Sequence, residues 1–576
     1  MEEEETIRIL ICGAGVAGLG MGIMLDKLPA SKKIDYLILE KTLIPSPLGS
    51  TVSLAANLIP LLGEMGAWER IRHICKPMSH FRVKNNDGTD LGPIDFTYNG
   101  YIEDRGYHGM VCARPDLYKI LLSMVPPEKI LFGKKICGTV QDDYGVSCFC
   151  EDGSVYHGDI LVGADGAYST VRHSLYQSLS AHGNFPCSRE DRSSLKLDNV
   201  VVVGITQSLD PEQYPFLKED VCQFRIVLGK NQPYSMWMCP LSNNRIGWSI
   251  GGRTNATDDE ELFTISQDEA VRVFNEPTDD WVAAEKHSIE SICERMKLRK
   301  NPFGYGTYGD LVSATPPHLI SKVYFEERGY RTWYAGRTVL VGDGVSQALY
   351  DVATLVNLLH QLPPELPTVD DLGTLFHSYY EERYPAAQLA IAGATDFARL
   401  FQDPEGVAEE DGQILMFSRV PRWLQQWSMD PKAMQTPRLH FLGLNRPVGP
   451  MDFVRGSNTL TTQAPAAISI PRQSVSRHHN PQHPQQQYQH QHHHHTPHQS
   501  NSDHHGSSTP LSTSAPVFSI YTPGSGPLSY FPKPRSWTVS STSSSVSSAS
   551  SISFSDLDRG LDHHARGPAD FLSAID

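Results

Sequence analysis

The chain lacks any run of residues that could cross a bilayer. No window of its 576 residues approaches about 18 consecutive apolar residues, and its mean hydropathy is negative. It begins with Met1-Glu2-Glu3-Glu4-Glu5, whereas a secretory signal begins with basic residues followed by a longer apolar run. We therefore expect neither a transmembrane span nor export by the secretory route.

Cysteine is scarce and unclustered. The ten cysteines lie between Cys12 and Cys293, none has a CxxC spacing, and the closest pair is Cys148 and Cys150. Zinc sites and thiol–disulfide centres need tighter clusters. This pattern predicts mostly buried thiols in a reducing compartment, and therefore a cytoplasmic protein without a metal site.

Basic residues are too few for a nucleic-acid groove. The chain has 49 Lys and Arg against 65 Asp and Glu, for a formal net charge of −16. Phosphate backbones are bound by clustered positive charge, which an acidic body does not offer. We expect no nucleic-acid partner.

Aliphatic residues are sparse in the C-terminal part of the chain, from Gly456 to Asp576. Ser, His, Gln and Pro dominate this segment, which predicts a disordered low-complexity tail. Its histidines could bind zinc or nickel only loosely without order or cysteine partners; they include His478, His479, His492 to His495, His504 and His505. Ser540 to Ser555 could accept phosphate, and the partners of the tail are left open.

The N-terminal region carries a nucleotide-binding pattern. Thr6–Cys12 reads as a β-strand, a helix is predicted over Leu19–Leu28, and a second strand over Tyr36–Leu39 ends at Glu40. The glycines between the first strand and the helix are Gly13, Gly15 and Gly18. They permit a tight turn and a close approach of the backbone to a pyrophosphate, and Glu40 can accept ribose hydroxyls. The alternative is a glycine-rich turn followed by a solvated glutamate.

This pattern does not separate NAD from FAD, but two later segments do. Asp159–Arg172 contains an apolar strand followed by Ala164-Asp165-Gly166, and Arg337–Asp343 is a strand that ends in Gly342-Asp343. Together with the first fingerprint, these segments resemble the FAD-dependent group A monooxygenases, the aromatic-hydroxylase-like family, and most closely its fungal branch. The likeness extends from about residue 6 to about residue 450 and includes Ala113-Arg114-Pro115, Pro47–Ser53 and Tyr380–Pro385.

The resemblance implies a set of cofactor contacts and a fold. FAD would contact Gly13, Gly15, Gly18, Glu40, Ser53, Arg114, Asp165, Asp343 and Val345. The expected fold is α/β, with a Rossmann-like FAD-binding domain, an inserted antiparallel-sheet substrate domain, C-terminal helices and the disordered tail. The expected divisions are residues 1–186 and 321–375 for the FAD-binding domain, 187–320 for the substrate domain, 376–455 for the helical region and 456–576 for the tail.

The middle of the chain reads as the substrate sheet. Strands are predicted over Val200–Thr206, Val221–Leu228, Tyr234–Cys239 and Arg245–Ile250. Polar and apolar residues alternate in Gln223–Val227, so one face of this strand should be buried and the other should be wet or line a cavity. Met236, Trp237 and Met238 could wall an apolar pocket or fill the core. Helices are predicted over His377–Leu400 and Ile414–Trp427.

One segment departs from the family pattern. In the family, the Gly-Asp pair is followed by about ten residues with a Pro and a Gly-x-Gly turn before the next helix, whereas here Asp343 and Gly344 lead directly into it. Backbone N–H groups at that helix N-terminus stabilise negative charge on the flavin. An arginine that is treated as catalytic in some fungal relatives is also absent near Asn199 and Val200, so no catalytic side chain is assigned.

The sequence therefore predicts an FAD-dependent monooxygenase that uses NAD(P)H and O2 to hydroxylate or epoxidise a small apolar or aromatic molecule. The alternative is an impaired or non-catalytic FAD-binding protein that has lost the turn after Gly342-Asp343. An NAD-dependent dehydrogenase shares the first fingerprint but does not need the two later segments.

Overall fold

The structure is a computed structural model that describes part of the chain. The described residues are 6–44, 49–95, 109–181, 191, 199–228, 234–253, 289–325, 329–342, 344–402, 409–410, 413–414 and 438–442. Of the two units into which the chain divides, every described residue lies in the one that contains Met1–Gly456. The predicted tail, Asp343 and most of the predicted helix Ile414–Trp427 lie outside the described residues.

The described residues form the following elements. The strands are β1 (Ile7–Cys12), β2 (Ile34–Leu39), β3 (Thr51–Leu54), β4 (Cys75–Asn85), β5 (Asp90–Asp95), β6 (Met110–Ala113), β7 (Ile130–Leu131), β8 (Ile136–Gln141), β9 (Val146–Cys150), β10 (Val155–Gly158), β11 (Ile160–Gly163), β12 (Asn199–Ile205), β13 (Cys222–Leu228), β14 (Tyr234–Leu241), β15 (Arg245–Arg253), β16 (Ser321–Phe325), β17 (Tyr334–Ala335), β18 (Thr338–Leu340), β19 (Glu409–Glu410) and β20 (Gln413–Ile414). The helices are α1 (Val16–Leu25), α2 (Ile59–Met65), α3 (Trp68–Ile71), α4 (Arg114–Leu122), α5 (Thr170–Ala181), α6 (Tyr308–Ser313), α7 (Val345–Leu359) and α8 (Val369–Gln402), and residues 289–296 are also helical.

A six-stranded, mainly parallel sheet holds the nucleotide-binding pattern. Its order is β17-β18-β11-β1-β2-β7, and only the pairing of β17 with β18 is antiparallel. The sequence of β1 is almost wholly apolar because both faces of this strand are buried. One face packs against α1, α4 and α7, and the other packs against the small antiparallel sheet β10-β9-β8.

Strand register aligns the carboxyl ends of four parallel strands. Cys12 of β1 pairs with Leu39 of β2 and with Gly163 of β11, and Gly163 pairs with Leu340 of β18. The loops that leave these strands therefore meet at one edge of the sheet. The strand order reverses at β1, since the chain passes from β1 to β2 on one side while β11 and β18 lie on the other side. In sheets of this kind, ligands bind in the crevice at the carboxyl ends of the strands where the order reverses.

The antiparallel sheet predicted for the middle of the chain is present and is larger than the sequence suggests. Its order is β16-β12-β15-β14-β13-β4-β6-β3, with β5 paired to β4. The four predicted strands pair antiparallel with one another in the order β12-β15-β14-β13, which is not their order in the sequence. On its other side, β13 pairs in parallel with β4. Strands from residues 51–113 and 321–325 thus complete the sheet, because backbone pairing does not follow sequence order.

The face of β13 that was predicted to be wet or to line a cavity is not wet at Arg225. Arg225, which the alternation placed on that face, is 4% exposed, and its guanidinium lies over the Phe216 ring at 4.2 Å. Nη1 of Arg225 donates to the Gln223 carbonyl at 3.0 Å. The polar residue is buried because an aromatic ring from outside the strand covers it.

The helix predicted over His377–Leu400 is confirmed within α8 but begins eight residues earlier. Thr368 and Asp371 cap its start: the Asp371 carboxylate accepts the Thr368 N–H at 2.9 Å, and the Thr368 hydroxyl accepts the Asp371 N–H at 3.2 Å. Ile414, where a second helix was predicted to begin, lies in the short strand β20. No helix among the described residues is long and apolar enough to span a membrane.

Candidate cofactor-binding site

A cavity of about 440 Å³ lies at the carboxyl ends of the parallel strands. Segments that are far apart in sequence line it together with the middle of α8. The lining residues are Gly15, Val16, Ala17, Arg114, Gly163, Ala164, Asp165, Gly166, Ala167, Ser169, Arg172, Tyr330, Trp333, Leu340, Val341, Gly342, Gly344, Val345, Ala348, Asp351, Ala387, Gln388 and Ile391. Four of the nine predicted contact residues are therefore brought together here: Gly15, Arg114, Asp165 and Val345.

The glycine loop has the geometry of a pyrophosphate cradle. A Cβ on Gly13, whose φ is +101°, would lie 2.6 Å from the Ala164 carbonyl oxygen, and one on Gly18 would lie 1.9 Å from the Gly13 carbonyl oxygen. A Cβ on Gly15 would meet nothing within 4 Å, so this residue opens onto the cavity. No side chain of the described residues caps α1, whose N-terminus supplies partial positive charge. These residues fit a dinucleotide such as FAD.

Glu40 does not line the cavity but holds the glycine loop. Its Oε2 accepts the Ala14 N–H at 2.8 Å, and its Oε1 accepts the backbone N–H and the hydroxyl of Thr42, each at 2.9 Å. The carboxylate thus joins the end of β2 to the loop after β1. Its predicted contact with ribose stays a prediction.

Asp165 fixes the start of α5. Its carboxylate accepts the Thr170 N–H at 2.7 Å, the Val171 N–H at 3.2 Å and the Ser169 hydroxyl. The Arg172 guanidinium, one turn along, lies over the Tyr330 ring at 4.1 Å. Burial and then the Asp165 charge raise the pKa of the Cys12 thiol well above its usual value, so this thiol stays protonated.

Arg114 stands at the first turn of α4 and supplies a cation to the cavity wall. Burial lowers the pKa of its guanidinium, and arginine side chains carry their charge at neutral pH. Gly49, with a φ of +109°, makes room for it, since a Cβ there would lie 2.9 Å from Arg114 Cδ. Ser53, another predicted contact, is exposed on β3 and does not line the cavity.

A buried ion pair supports the loop between β18 and α7. Asp351 Oδ2 accepts the Gly342 N–H at 3.1 Å, and Oδ1 accepts Arg383 Nε at 2.7 Å. Arg383 also donates to Gln347 Oε1 at 2.6 Å. Burial raises the pKa of the Asp351 carboxyl, while Arg383 lowers it. Asp343 itself lies outside the described residues, but its neighbours Gly342 and Gly344 have φ angles of +99° and +68°.

The helix α7 begins immediately after this loop. Gly344 is its N-cap residue, and no described side chain caps it. The Ala348 N–H donates to the Gly344 carbonyl at 3.0 Å. Only residues 341–344 separate β18 from α7, which is the short connection that the sequence shows.

Sequence reasoning missed the residues that α8 and the segment before β17 bring to the cavity. Tyr330, Trp333, Ala387, Gln388 and Ile391 lie more than 300 residues after the glycine loop, and no local motif marks them. Of the proposed pocket residues, Met236 and Met238 are buried in the core of the large sheet. Trp237 lies on the opposite face, with its ring 5.0 Å from that of Phe224.

Known sequences similar to this chain are FAD-binding proteins. Residues 6–282 match the family model described as an FAD binding domain. The FAD-dependent monooxygenase olcE of Penicillium canescens is 27% identical over 401 residues, which cover 66% of this chain and 78% of that protein. The FAD-dependent monooxygenase paxM of Penicillium paxilli is 24% identical over 430 residues, which cover 70% and 81%.

Solved structures share the fold. The 2,6-dihydroxypyridine-3-hydroxylase of Arthrobacter nicotinovorans matches with a TM-score of 0.51 at 18% identity, over 71% of this chain and 96% of that one. HpxO of Klebsiella pneumoniae, complexed with FAD and uric acid, matches with a TM-score of 0.50 at 16% identity, over 77% and 97%. These likenesses show the α/β architecture that carries the cavity.

Proposed function

We propose that this chain is an FAD-dependent monooxygenase, like the fungal proteins to which it is similar, and that it hydroxylates or epoxidises a small apolar or aromatic molecule with O2 and NAD(P)H. The observation that carries the proposal is the meeting of the glycine loop, the Asp165 segment and the Gly342 segment around one cavity. A dinucleotide site of NAD-dependent dehydrogenases does not require the last two segments.

The residues of this chain bind and orient the cofactor. The N–H groups at the start of α1 and the Arg114 guanidinium offset the charge of a pyrophosphate. Asp165 keeps α5 in place, and Asp351 fixes the Gly342 N–H beside α7. When bound, FAD supplies the redox chemistry between NAD(P)H and O2. No catalytic side chain is proposed, since the protein's part is to position the substrate and exclude water.

The proposal of an apolar or aromatic substrate rests on aromatic side chains of the large sheet. Phe81, Phe224 and Trp237 lie on neighbouring strands, with ring centroids 5.2 Å and 5.0 Å apart. These half-buried rings suit a flat, apolar molecule. HpxO, which shares the fold, is complexed with uric acid, which supports a small-molecule substrate for this chain as well.

A cytoplasmic location is part of the proposal. Nine cysteines of the described residues stand outside any disulfide, and seven of them are buried. Such thiols suit a reducing compartment.

The test is the absorption spectrum of the purified protein after incubation with FAD, followed by NAD(P)H oxidation in the presence of O2 and candidate substrates. Bound flavin and substrate-stimulated NAD(P)H consumption would support the monooxygenase. Bound flavin with no consumption by any substrate would favour the second candidate, an FAD-binding protein impaired by the short β18–α7 connection. Absence of flavin binding would contradict both.

A further inference from the structure

One polar group of the cavity wall has no partner. Nε2 of Gln388, on α8, is buried and has no hydrogen-bond partner among the residues that the structure describes. Buried donors in folded proteins are nearly always paired, so an unpaired one at a ligand cavity indicates a partner that the ligand supplies. Gln388 is itself one of the residues that line the cavity.

The surrounding residues keep this amide at the cavity. A Cβ on Gly329 would lie 2.4 Å from Gln388 Nε2 and 2.9 Å from Oε1, so the amide in its present position packs closely against Gly329. Ala387 and Ile391, which also line the cavity, are apolar and offer no acceptor side chain.

The Asp351 carboxylate, which also lines the cavity, is engaged by donors other than Gln388. Asp351 uses Oδ1 for Arg383 and Oδ2 for the Gly342 N–H. Gln388 Nε2 is not among the donors to this carboxylate. Gln388 keeps its donor for another acceptor.

The sheet order decides which half of a dinucleotide lies near Gln388. In βαβ nucleotide sites the pyrophosphate lies at the first helix and the adenosine ribose near the acid after the second strand, here Glu40 after β2. Glu40 and β18 lie on opposite sides of β1 in the order β18-β11-β1-β2. The helix α8, which carries Gln388, is joined to α7 by Arg383 and Asp351, and Asp351 also binds the Gly342 N–H after β18, so this helix packs on the β18–α7 side of the cavity.

We propose that Gln388 is a cofactor-positioning residue whose side-chain amide donates a hydrogen bond to an acceptor atom in the flavin half of bound FAD. This inference rests on the proposed function, because it requires FAD in the cavity. The amide fits a neutral carbonyl oxygen or ring nitrogen, which accepts a hydrogen bond without bringing charge next to Asp351.

The test compares wild type with Gln388→Leu, which has a side chain of similar size and no donor. The dissociation constant for FAD should rise about 3- to 10-fold, the range expected for one neutral hydrogen bond. The constant for ADP, which lacks the flavin half, should not change. The melting temperature of the FAD-free variant should equal or exceed that of wild type, since an unpaired buried donor has been removed.

Two further variants sharpen the test. Gln361→Leu alters an exposed glutamine just after α7 and should leave both constants unchanged. Gln388→Glu replaces the donor by acceptors and should weaken FAD binding more than Gln388→Leu does. The visible absorption band of bound flavin should shift in both Gln388 variants and stay in place in Gln361→Leu.

The outcomes separate the two proposals. Equal FAD affinity in wild type and Gln388→Leu, or an equal loss of ADP affinity, would overturn the role of Gln388 and leave the proposed function standing. If wild type binds neither FAD nor ADP, the proposed function fails, and this inference fails with it.

Discussion

Among single residues, Glu40 has the most direct consequence for cofactor choice. Replacing it by alanine removes the acceptor for the Ala14 N–H and for both Thr42 donors, and with them the carboxylate that would face ribose. Hydrogen bonds to charged groups contribute about 1.5–3 kcal/mol each. We expect Glu40→Ala to weaken FAD binding by at least about tenfold and to leave the weaker binding of FMN unchanged, since FMN lacks the adenosine half.

Isothermal titration with FAD and with FMN measures this difference. Glu69→Ala, which removes an exposed carboxylate paired only with Arg72 on the surface, is the matched control. Equal affinity of the wild type for the two flavins, or no change in Glu40→Ala, would mean that the nucleotide-binding assignment is wrong.

The sequence predicts the roles of single residues where these roles depend on steric contacts with nearby residues in the chain. Gly13 and Gly18 could be predicted as turn glycines, because the positive φ of Gly13 and the close approach of Gly18 to the Gly13 carbonyl are local to one turn. The burial of Arg225 and the position of Gln388 could not, since Phe216 and Gly329 reach them only through tertiary packing. The hydrogen bonds of Glu40 to the loop were equally hidden, because a ribose-binding acid and a loop-holding acid have the same sequence pattern.

Between elements, the Asp351–Arg383 pair links α7 to α8. The two side chains are 5% and 8% exposed, so Arg383→Leu would leave a carboxylate buried without its cation. Removing one partner of a buried pair costs about 3–5 kcal/mol of the free energy of unfolding. We expect this loss in urea denaturation of Arg383→Leu, together with weaker FAD binding as the Gly342 loop loses its support.

A double variant that combines Asp351→Asn with Arg383→Leu is the control for charge burial. It removes the unpaired charge, while the amide oxygen of the introduced asparagine can still accept the Gly342 N–H, so part of the stability should return. If the double variant is no more stable than Arg383→Leu, the loss comes from packing and not from the isolated carboxylate.

The short connection between β18 and α7 leads to a second prediction about secondary-structure elements. With only residues 341–344 between strand and helix, the N–H groups of α7 start close to the sheet. Loss of one backbone donor to developing charge typically costs about 2.7–4 kcal/mol. If the short connection impairs the protein, as the second candidate function requires, flavin reduction by NAD(P)H should be slow in the chain as it stands and faster by orders of magnitude after insertion of a Pro-containing Gly-x-Gly turn between Asp343 and Gly344.

Stopped-flow absorbance of the two proteins measures those rates. An inserted segment of equal length made only of Gly and Ser controls for loop length alone. Ordinary monooxygenase turnover by the uninserted protein would refute a damaging role for the short connection.

The sequence predicts where strands and helices lie along the chain better than it predicts the order of strands within a sheet. The four central strands of the large sheet were predicted near their observed bounds, because each is a short apolar run between turn residues. Their order depends on β4 and β16, which lie far away in sequence and add strands to both sides. The early start of α8 had a local signal, the capping pair Thr368 and Asp371, which sequence analysis did not use.

For the whole molecule, buried thiols make stability sensitive to alkaline pH. Burial raises the pKa of the Cys293 thiol from 9.0 to about 11, and burial also raises the pKa of Cys12, Cys148, Cys150 and Cys239. Above pH 9 the unfolded chain releases these protons while the folded chain keeps them. The folded state then binds more protons, so the free energy of unfolding must fall as pH rises.

Urea denaturation at intervals from pH 8 to pH 10.5 measures this fall. Cys293 alone contributes about 2 kcal/mol between its unfolded and folded pKa values. Cys293→Ala should therefore show a shallower decline than wild type, whereas Cys137→Ala, at an exposed position, should follow the wild-type slope. Parallel curves for wild type and Cys293→Ala would contradict the prediction.

The last prediction concerns the low-complexity segment from Gly456 to Asp576, which lies outside the described residues. A segment so poor in aliphatic residues cannot offset a backbone entropy of about 1–2 kcal/mol per residue, so its composition predicts that the body folds without it. A variant that ends at Arg455 should keep its FAD affinity, and its melting temperature should change by less than about 2 °C, since 1 kcal/mol corresponds to roughly 2–4 °C. Differential scanning calorimetry of the two proteins, each with and without FAD, measures both effects. A drop of many degrees would mean that the segment packs on the body and adds stability of its own, and the composition argument would then be wrong.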